Sequence, residues 1–386
     1  MIPYGRHSID AADIVAVTDV LKSEWLTTGL KVREFEETMA RLVGAEHAVA
    51  VSSGTAALHA AVQALGLEPG DEVILPPLTF VATANVVVMC GGVPIFADID
   101  PQTLLLDPQT VEAKVTPRTK AILAVDYAGQ PCDYDALCSI ANRHGLVLIA
   151  DACHSLGASV GGRPVGLLAD LTVFSFHPVK TMTTGEGGMV VTNQTAYANQ
   201  MRVFRNHGIT TTHHERSERE TWNYEMISLG MNYRLTDFQC ALGLSQLQKL
   251  QGWISRRQDI ASRYDKAWST IPGIRPVSVR PGVSHAYHLY VIQIDQEEFG
   301  MERGTLFSRL RELGIGVQVH YIPVHLQPFY QERFGTGPGL CPYAEEAYGH
   351  ILSLPMYPSL SDEEVSGVIG TMNSLTVGHG LIHAGV

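Results

Sequence analysis

Three short segments of this chain carry side chains able to do chemistry. An apolar run from Leu146 ends in Asp151. At the carboxyl end of a parallel strand a carboxylate stands where such sheets place their ligands, although alone it reads more readily as a helix cap or a surface acid. A second run, LTVFSFHPVKTMTTGEGGMVV, brings a strand to Ser175-Phe176, bends at Pro178, places Lys180 in the bend and passes through Gly185-Glu186-Gly187-Gly188 into another strand. A lysine after a strand is ordinarily solvated. Held in a tight turn beside a glycine run, it can be desolvated, lose its charge and attack carbonyls. The third segment, Ser52-Ser53-Gly54-Thr55-Ala56-Ala57, joins a strand to a helix. Its free N–H groups and hydroxyls form a cup for an anion, or a plain helix cap. Together the three meet the needs of pyridoxal phosphate: an anion site for the phosphate, a lysine for the aldehyde, and a carboxylate to keep the ring nitrogen protonated. Phe80, early in a helix, offers a ring that either stacks on the cofactor or packs in the core.

These residues need a scaffold, and the apolar pattern supplies one. Residues 1–30 read as an arm and a helix. Strand-like runs follow at His47–Val51, Val73–Leu75, Pro94–Ala97, Ala121–Val125, Leu146–Ala150, Leu171–Phe176 and Met189–Thr192. Helical patterns lie between them, after Ser53, from about Thr79 and near Asp133–His144. This alternation predicts an α/β fold with a mostly parallel sheet covered on both faces. Thr236-Asp237-Phe238-Gln239 has capping-box spacing, and Leu244, Leu247, Leu250 and Ile254 then predict one long connecting helix. Beyond it, His288–Ile294 and Val317–His320 read as strands and Arg303–Leu313 as a helix. The expected division is an arm and large domain over 1–249 and a smaller C-terminal α+β domain over 250–386. Residues 208–225 read as an exposed loop, and the chain from about Val377 as a loose tail.

Composition narrows the function. Of 386 residues, 45% are hydrophobic and 17% charged, which fits a globular protein. The net charge of −12 disfavours nucleic acid as a partner. No basic-then-apolar leader is visible, and the most apolar stretch, 84–97, is broken by Gly91, Gly92 and Pro94, so no membrane span is expected. Six scattered cysteines without a CxxC pair fit a reducing cytoplasm. No metal site is expected: His213-His214 and the other histidines show no HExxH spacing, which leaves a metal-dependent hydrolase far behind. No GxGxxG follows an early strand, which disfavours a nicotinamide enzyme.

The segments WLTTG, SSGTAAL, PPLTFVATANVV, DYAGQPCD, IADACHSLGA, FSFHPVKTMTTGEGG, FRNHGI, GMNYRLTDFQCALGLSQL and VHYIPVHLQPFY span nearly the whole chain. They resemble the DegT/DnrJ/EryC1/StrS family of nucleotide-sugar aminotransferases. The resemblance implies a fold-type I transferase that uses pyridoxal 5'-phosphate. It also implies that Lys180 carries the cofactor as an aldimine and that Asp151 pairs with the ring nitrogen. Phe80 would stack on the ring, and Gly54, Thr55, Ala56 and Ser175 would hold the phosphate and neighbouring atoms. His154 would stand near the ring hydroxyl, and Asn232 would reach the phosphate from the second subunit of a homodimer. Within the family, the HPVK form and the VHYIPVHLQPFY segment most resemble the transaminases that form UDP-4-amino-4,6-dideoxy-N-acetyl-β-L-altrosamine, a pseudaminic acid precursor. That likeness implies that Tyr4, Glu24, Trp25, Leu26, Thr27, Ser53, His320, Tyr321, Ile322 and Pro323 contact a UDP-sugar, with L-glutamate as amino donor. An enzyme forming UDP-4-amino-4-deoxy-L-arabinose is the nearer alternative. Related sugar dehydratases replace the cofactor lysine by histidine, and this chain keeps Lys180.

Overall fold

The computed structural model describes residues 1–211, 216 and 220–377. Part of the 208–225 loop, including His213-His214, and the tail beyond Val377 lie outside the described residues. Thirteen strands are present among the described residues: β1 His47–Val51, β2 Glu72–Leu75, β3 Val93–Phe96, β4 Thr119–Val125, β5 Val147–Asp151, β6 Ser159–Val160, β7 Arg163–Pro164, β8 Leu171–Ser175, β9 Gly188–Thr192, β10 Ile274–Pro276, β11 Val283–Ser284, β12 Tyr290–Ile294 and β13 Ile351–Leu354.

Seven strands form the central sheet, in the order β1-β9-β8-β5-β4-β2-β3. The run from β8 to β3 is parallel, and its strands are apolar nearly throughout, as burial on both faces demands. β9 runs antiparallel to both its neighbours. The reversal follows from the excursion after β8: the chain leaves at Ser175, turns through Lys180 and comes back at Gly188. The helix Gly54–Gln63 lies under the sheet and is buried along almost its whole length, which its alanines allow. The sheet therefore delivers Asp151 at the end of β5 and Ser175 at the end of β8 to its carboxyl edge.

A second apolar core draws on residues between Ile260 and Met372, around the three-stranded sheet β10-β12-β13. Val324, Tyr330, Ala344 and Ala347 instead join the first core. Arg257, 1% exposed, lies where the two meet; its Nη1 donates to the carbonyls of Tyr287, His288 and Met356 at 3.0, 3.3 and 2.9 Å.

Two elements depart from expectation. The capping box forms at Thr236 and Gln239, but the long helix is two helices, Asp237–Leu247 and Leu250–Trp268. Polar partners from the N-terminal arm claim the residues at the break. Gln246 donates to the Ser8 carbonyl and to Asp13, and Lys249 pairs with Asp10 and Asp13 at 2.6 and 2.8 Å. Val317–His320 makes a single bridge, Gln318 to Ser353, instead of a strand. The His320 carbonyl turns away to accept from the Tyr127 hydroxyl.

The capping box yields a measurable cost. Thr236→Ala leaves a first-turn N–H unpaired, and we expect about 1 kcal/mol of lost stability, read as a lower midpoint in urea unfolding.

Candidate active site

At the amino end of Gly54–Gln63, the Ser53 hydroxyl accepts from the Ala56 N–H at 3.0 Å, and the Ser53 carbonyl accepts from Ala57 at 3.0 Å. Gly54 and Thr55 keep the N–H groups that a first helical turn leaves without an internal acceptor. Glycine is required at 54: an added Cβ would lie 2.8 Å from the Cβ of Ser175. The helix start and the end of β8 are thereby pressed together.

Asp151, 6% exposed, is held by two donors. The Thr83 hydroxyl donates to its Oδ2 at 2.8 Å, and the Cys153 N–H reaches its Oδ1 at 3.3 Å. Thr79 lies 2.8 Å from the Thr83 oxygen. Because Thr83 spends its proton on the carboxylate, Thr79 must be the donor in that second bond. The pair fixes the direction in which Asp151 points.

Lys180 is partly exposed, in a turn closed by its own N–H on the His177 carbonyl at 2.9 Å. Burial of its amine lowers its pKa from the ordinary lysine value, an effect that the nearby charge of Asp151 opposes. An amine so placed gives up its proton more easily than a solvated lysine.

These groups line one cavity of about 560 Å³, which also takes in Tyr4, Phe80, His154, His320 and Tyr321. Phe80 is 57% exposed, so its ring faces open space and is not packed in the core. The His154 Nε2 lies 3.3 Å from the Tyr321 hydroxyl. Burial holds His154 and His288 well below the ordinary histidine range, and the charge of Lys180 adds to the effect. Burial likewise pushes His320 down to about 4.

Other expected residues lie elsewhere. Ala56 is in the core with its N–H committed to Ser53. Glu24, Trp25, Leu26 and Thr27 line a second cavity of about 780 Å³ with Arg33, Arg205 and Arg234. They are tethered to the start of the helix Asp237–Leu247, since Asp237 donates its N–H to the Leu26 carbonyl and accepts from Gly29 at 2.8 Å. Asn232 is exposed and bridges to Asn206, outside the lysine cavity. Ile322 is exposed and Pro323 buried, and neither lines the cavity. Thr79, Thr83, Cys153 and His288 are among the lining residues that the sequence had not singled out. Thr83 lies in the first turn of the helix Ala82–Met89 and Thr79 in the bend before it, where their hydroxyls meet. His288 carries no signal in the sequence, because it reaches the cavity only through contacts distant in sequence: its neighbours Ala286 and Leu289 bond to Gly129 and Ala128.

The fit to the cofactor rests on these observations: unpaired N–H groups at a helix start, a carboxylate held by a threonine, and a desolvated lysine, all on one cavity. Such a fold and site define a pyridoxal-phosphate-dependent aminotransferase of fold type I. The sequence pattern of the DegT/DnrJ/EryC1/StrS aminotransferase family matches residues 7–373, and the chain belongs to that family. It is 44% identical to the spore coat polysaccharide biosynthesis protein SpsC of Bacillus subtilis over 98% of this chain and 97% of that one. Its fold superposes on Helicobacter pylori PseC, an aminotransferase involved in the biosynthesis of pseudoaminic acid, with a TM-score of 0.92, 33% identity and coverage of 98% and 99%. The PLP form of the putative sugar aminotransferase Spr1654 of Streptococcus pneumoniae matches with a TM-score of 0.91, 31% identity and coverage of 98% and 99%. No helix among the described residues is long and apolar enough to cross a membrane, and no cluster of three or more His, Cys, Asp or Glu among them is placed to hold a metal ion.

The buried histidines predict acid sensitivity. His320 titrates near 4 when folded and near 6.5 when unfolded. The unfolded chain therefore takes up the proton first, and stability falls as pH drops from 6.5 to 4. Thermal unfolding of His320→Asn should show a flatter dependence across that window than the parent protein.

Proposed function

We propose that the protein moves an amino group from L-glutamate to C4 of a UDP-4-keto-6-deoxy-N-acetylhexosamine, giving UDP-4-amino-4,6-dideoxy-N-acetyl-β-L-altrosamine. The observation that carries the transfer chemistry is the meeting of Lys180, Asp151 and the free N–H groups of Gly54 and Thr55 on one cavity. The substrate assignment is supported by the likeness to PseC along the whole chain, together with the retained lysine.

Bound pyridoxal phosphate supplies a cationic ring that withdraws electrons from the carbon bearing the amino group. Lys180 would hold its aldehyde through Nζ. The Lys180 amine would also serve as the base that takes a proton from the substrate carbon and as the acid that returns one. Asp151, aimed by Thr83, keeps the proton on the ring nitrogen. The N–H groups of Gly54 and Thr55 and the Ser175 hydroxyl would receive the phosphate, Phe80 would cover one ring face, and His154 would face the ring oxygen. Tyr4, Ser53, His320 and Tyr321 meet the sugar nucleotide at the cavity, and the Glu24–Thr27 segment extends the binding surface beyond it.

Asn232 belongs in this scheme to the partner's cavity, which requires a homodimer. Exposed apolar side chains support such an assembly: Trp222, Met226, Ile227 and Leu229 all stand open on one short stretch.

The experiment has two stages. Glutamate should bleach the yellow colour of the purified protein, and Lys180→Ala should remove that response. A panel of 4-keto nucleotide sugars, with products read by NMR, then tests the acceptor. Amination of the N-acetylated 6-deoxy sugar at C4 is the expected outcome. Turnover only of the 4-keto pentose would replace it with the L-arabinose alternative, and turnover only of a 3-keto sugar would discard both.

A further inference from the structure

One ring of the cavity has no part in the transfer just described. His288 precedes β12 and is 4% exposed. Its ring centroid lies 4.4 Å from that of His154, with the planes at 49°. The Nδ1 atoms of both rings are buried without a hydrogen-bond partner. A buried donor left unpaired costs more than a buried acceptor in the same position, so each ring carries its proton on Nε2. For His154 that is the edge facing Tyr321.

The backbone of His288 is held from two sides. Gly129 has φ +105°, and a Cβ there would fall 2.8 Å from the His154 carbonyl oxygen and 2.9 Å from the His288 nitrogen. Only glycine permits that approach. The Ala286 N–H donates to the Gly129 carbonyl at 3.0 Å and the Leu289 N–H to the Ala128 carbonyl at 3.1 Å, so the segment carrying His288 is zipped to the large core. From the other side, Arg257 grips the carbonyls of Tyr287 and His288.

Resting on the placement of His154 at the cofactor ring oxygen, we propose that His288 is a positioning residue: its ring clamps that of His154, so that the Nε2 edge stays turned to Tyr321 and the cavity. The groups facing the pair are Lys180, Arg257 and His320, all of which oppose a positive charge on it. The two imidazoles therefore act as a neutral, fixed pair.

The test is a double-mutant cycle in the cofactor-loaded protein, read by kcat, KM and the pH midpoint of the bound cofactor's absorbance. H288A should lower kcat about ten- to hundredfold and move the midpoint, with KM for the keto sugar little changed. In the H154A background the same substitution should add almost nothing, because its effect runs through His154. H288F, which restores a planar ring, should recover most of the loss. Additive effects of H154A and H288A overturn the proposal, as does an H288A protein that only unfolds at a lower temperature while kcat and midpoint stay in place. A parent protein that never takes up the cofactor overturns the functional reading and this inference with it, whereas additive losses in a coloured protein overturn the positioning role alone.

Discussion

A lysine amine has to be kept partly out of water, within reach of a carboxylate that must not neutralise it. That constraint organises the molecule. Full exposure would leave Lys180 charged and unreactive, while a direct ion pair with Asp151 would lock the charge in place. The structure meets both conditions by giving Asp151 other partners. Thr83 and the Cys153 N–H occupy its oxygens, so its charge acts on Lys180 only at a distance. The reversal between β8 and β9 holds the lysine in its turn, and the parallel strands set the carboxylate beside it.

The C-terminal part of the chain serves the same site. It sends His288, His320 and Tyr321 to the cavity, where burial keeps both histidines uncharged near the amine. Arg257 and Gly129 hold the two cores in register at that point, one by gathering carbonyls and the other by lacking a side chain. A further buried carboxylate, Asp126, is pushed up to about 6 by burial, and donors from Ser155 and Tyr134 oppose that shift. It anchors Ser155, the residue after His154, and so steadies the loop on which that ring is mounted.

Much of this was legible in the residues. The strands of the central sheet announce themselves as short apolar runs, and β5 and β8 end at the side chains that matter because strand ends are where turns and polar residues begin. Thr236 with Gln239 was legible as a capping box, and the Ser52–Ala57 segment as either an anion cup or a cap, the cap falling to Ser53. What escaped depends on contacts distant in sequence. The break before Leu250 is set by Asp10 and Asp13, more than two hundred residues earlier, and the failed strand at Val317–His320 by Tyr127. His288 is silent in sequence for the same reason. The resemblance assigned Glu24–Thr27 to the sugar nucleotide and Asn232 to the cofactor phosphate across a dimer, and within one chain neither lines the lysine cavity.

Reduction of the purified, coloured protein with borohydride, followed by digestion and peptide mass mapping, reads the link at Lys180 itself. The cofactor's mass should appear on the peptide containing Lys180 and on no other. A label on a different lysine, or none at all, would contradict that link.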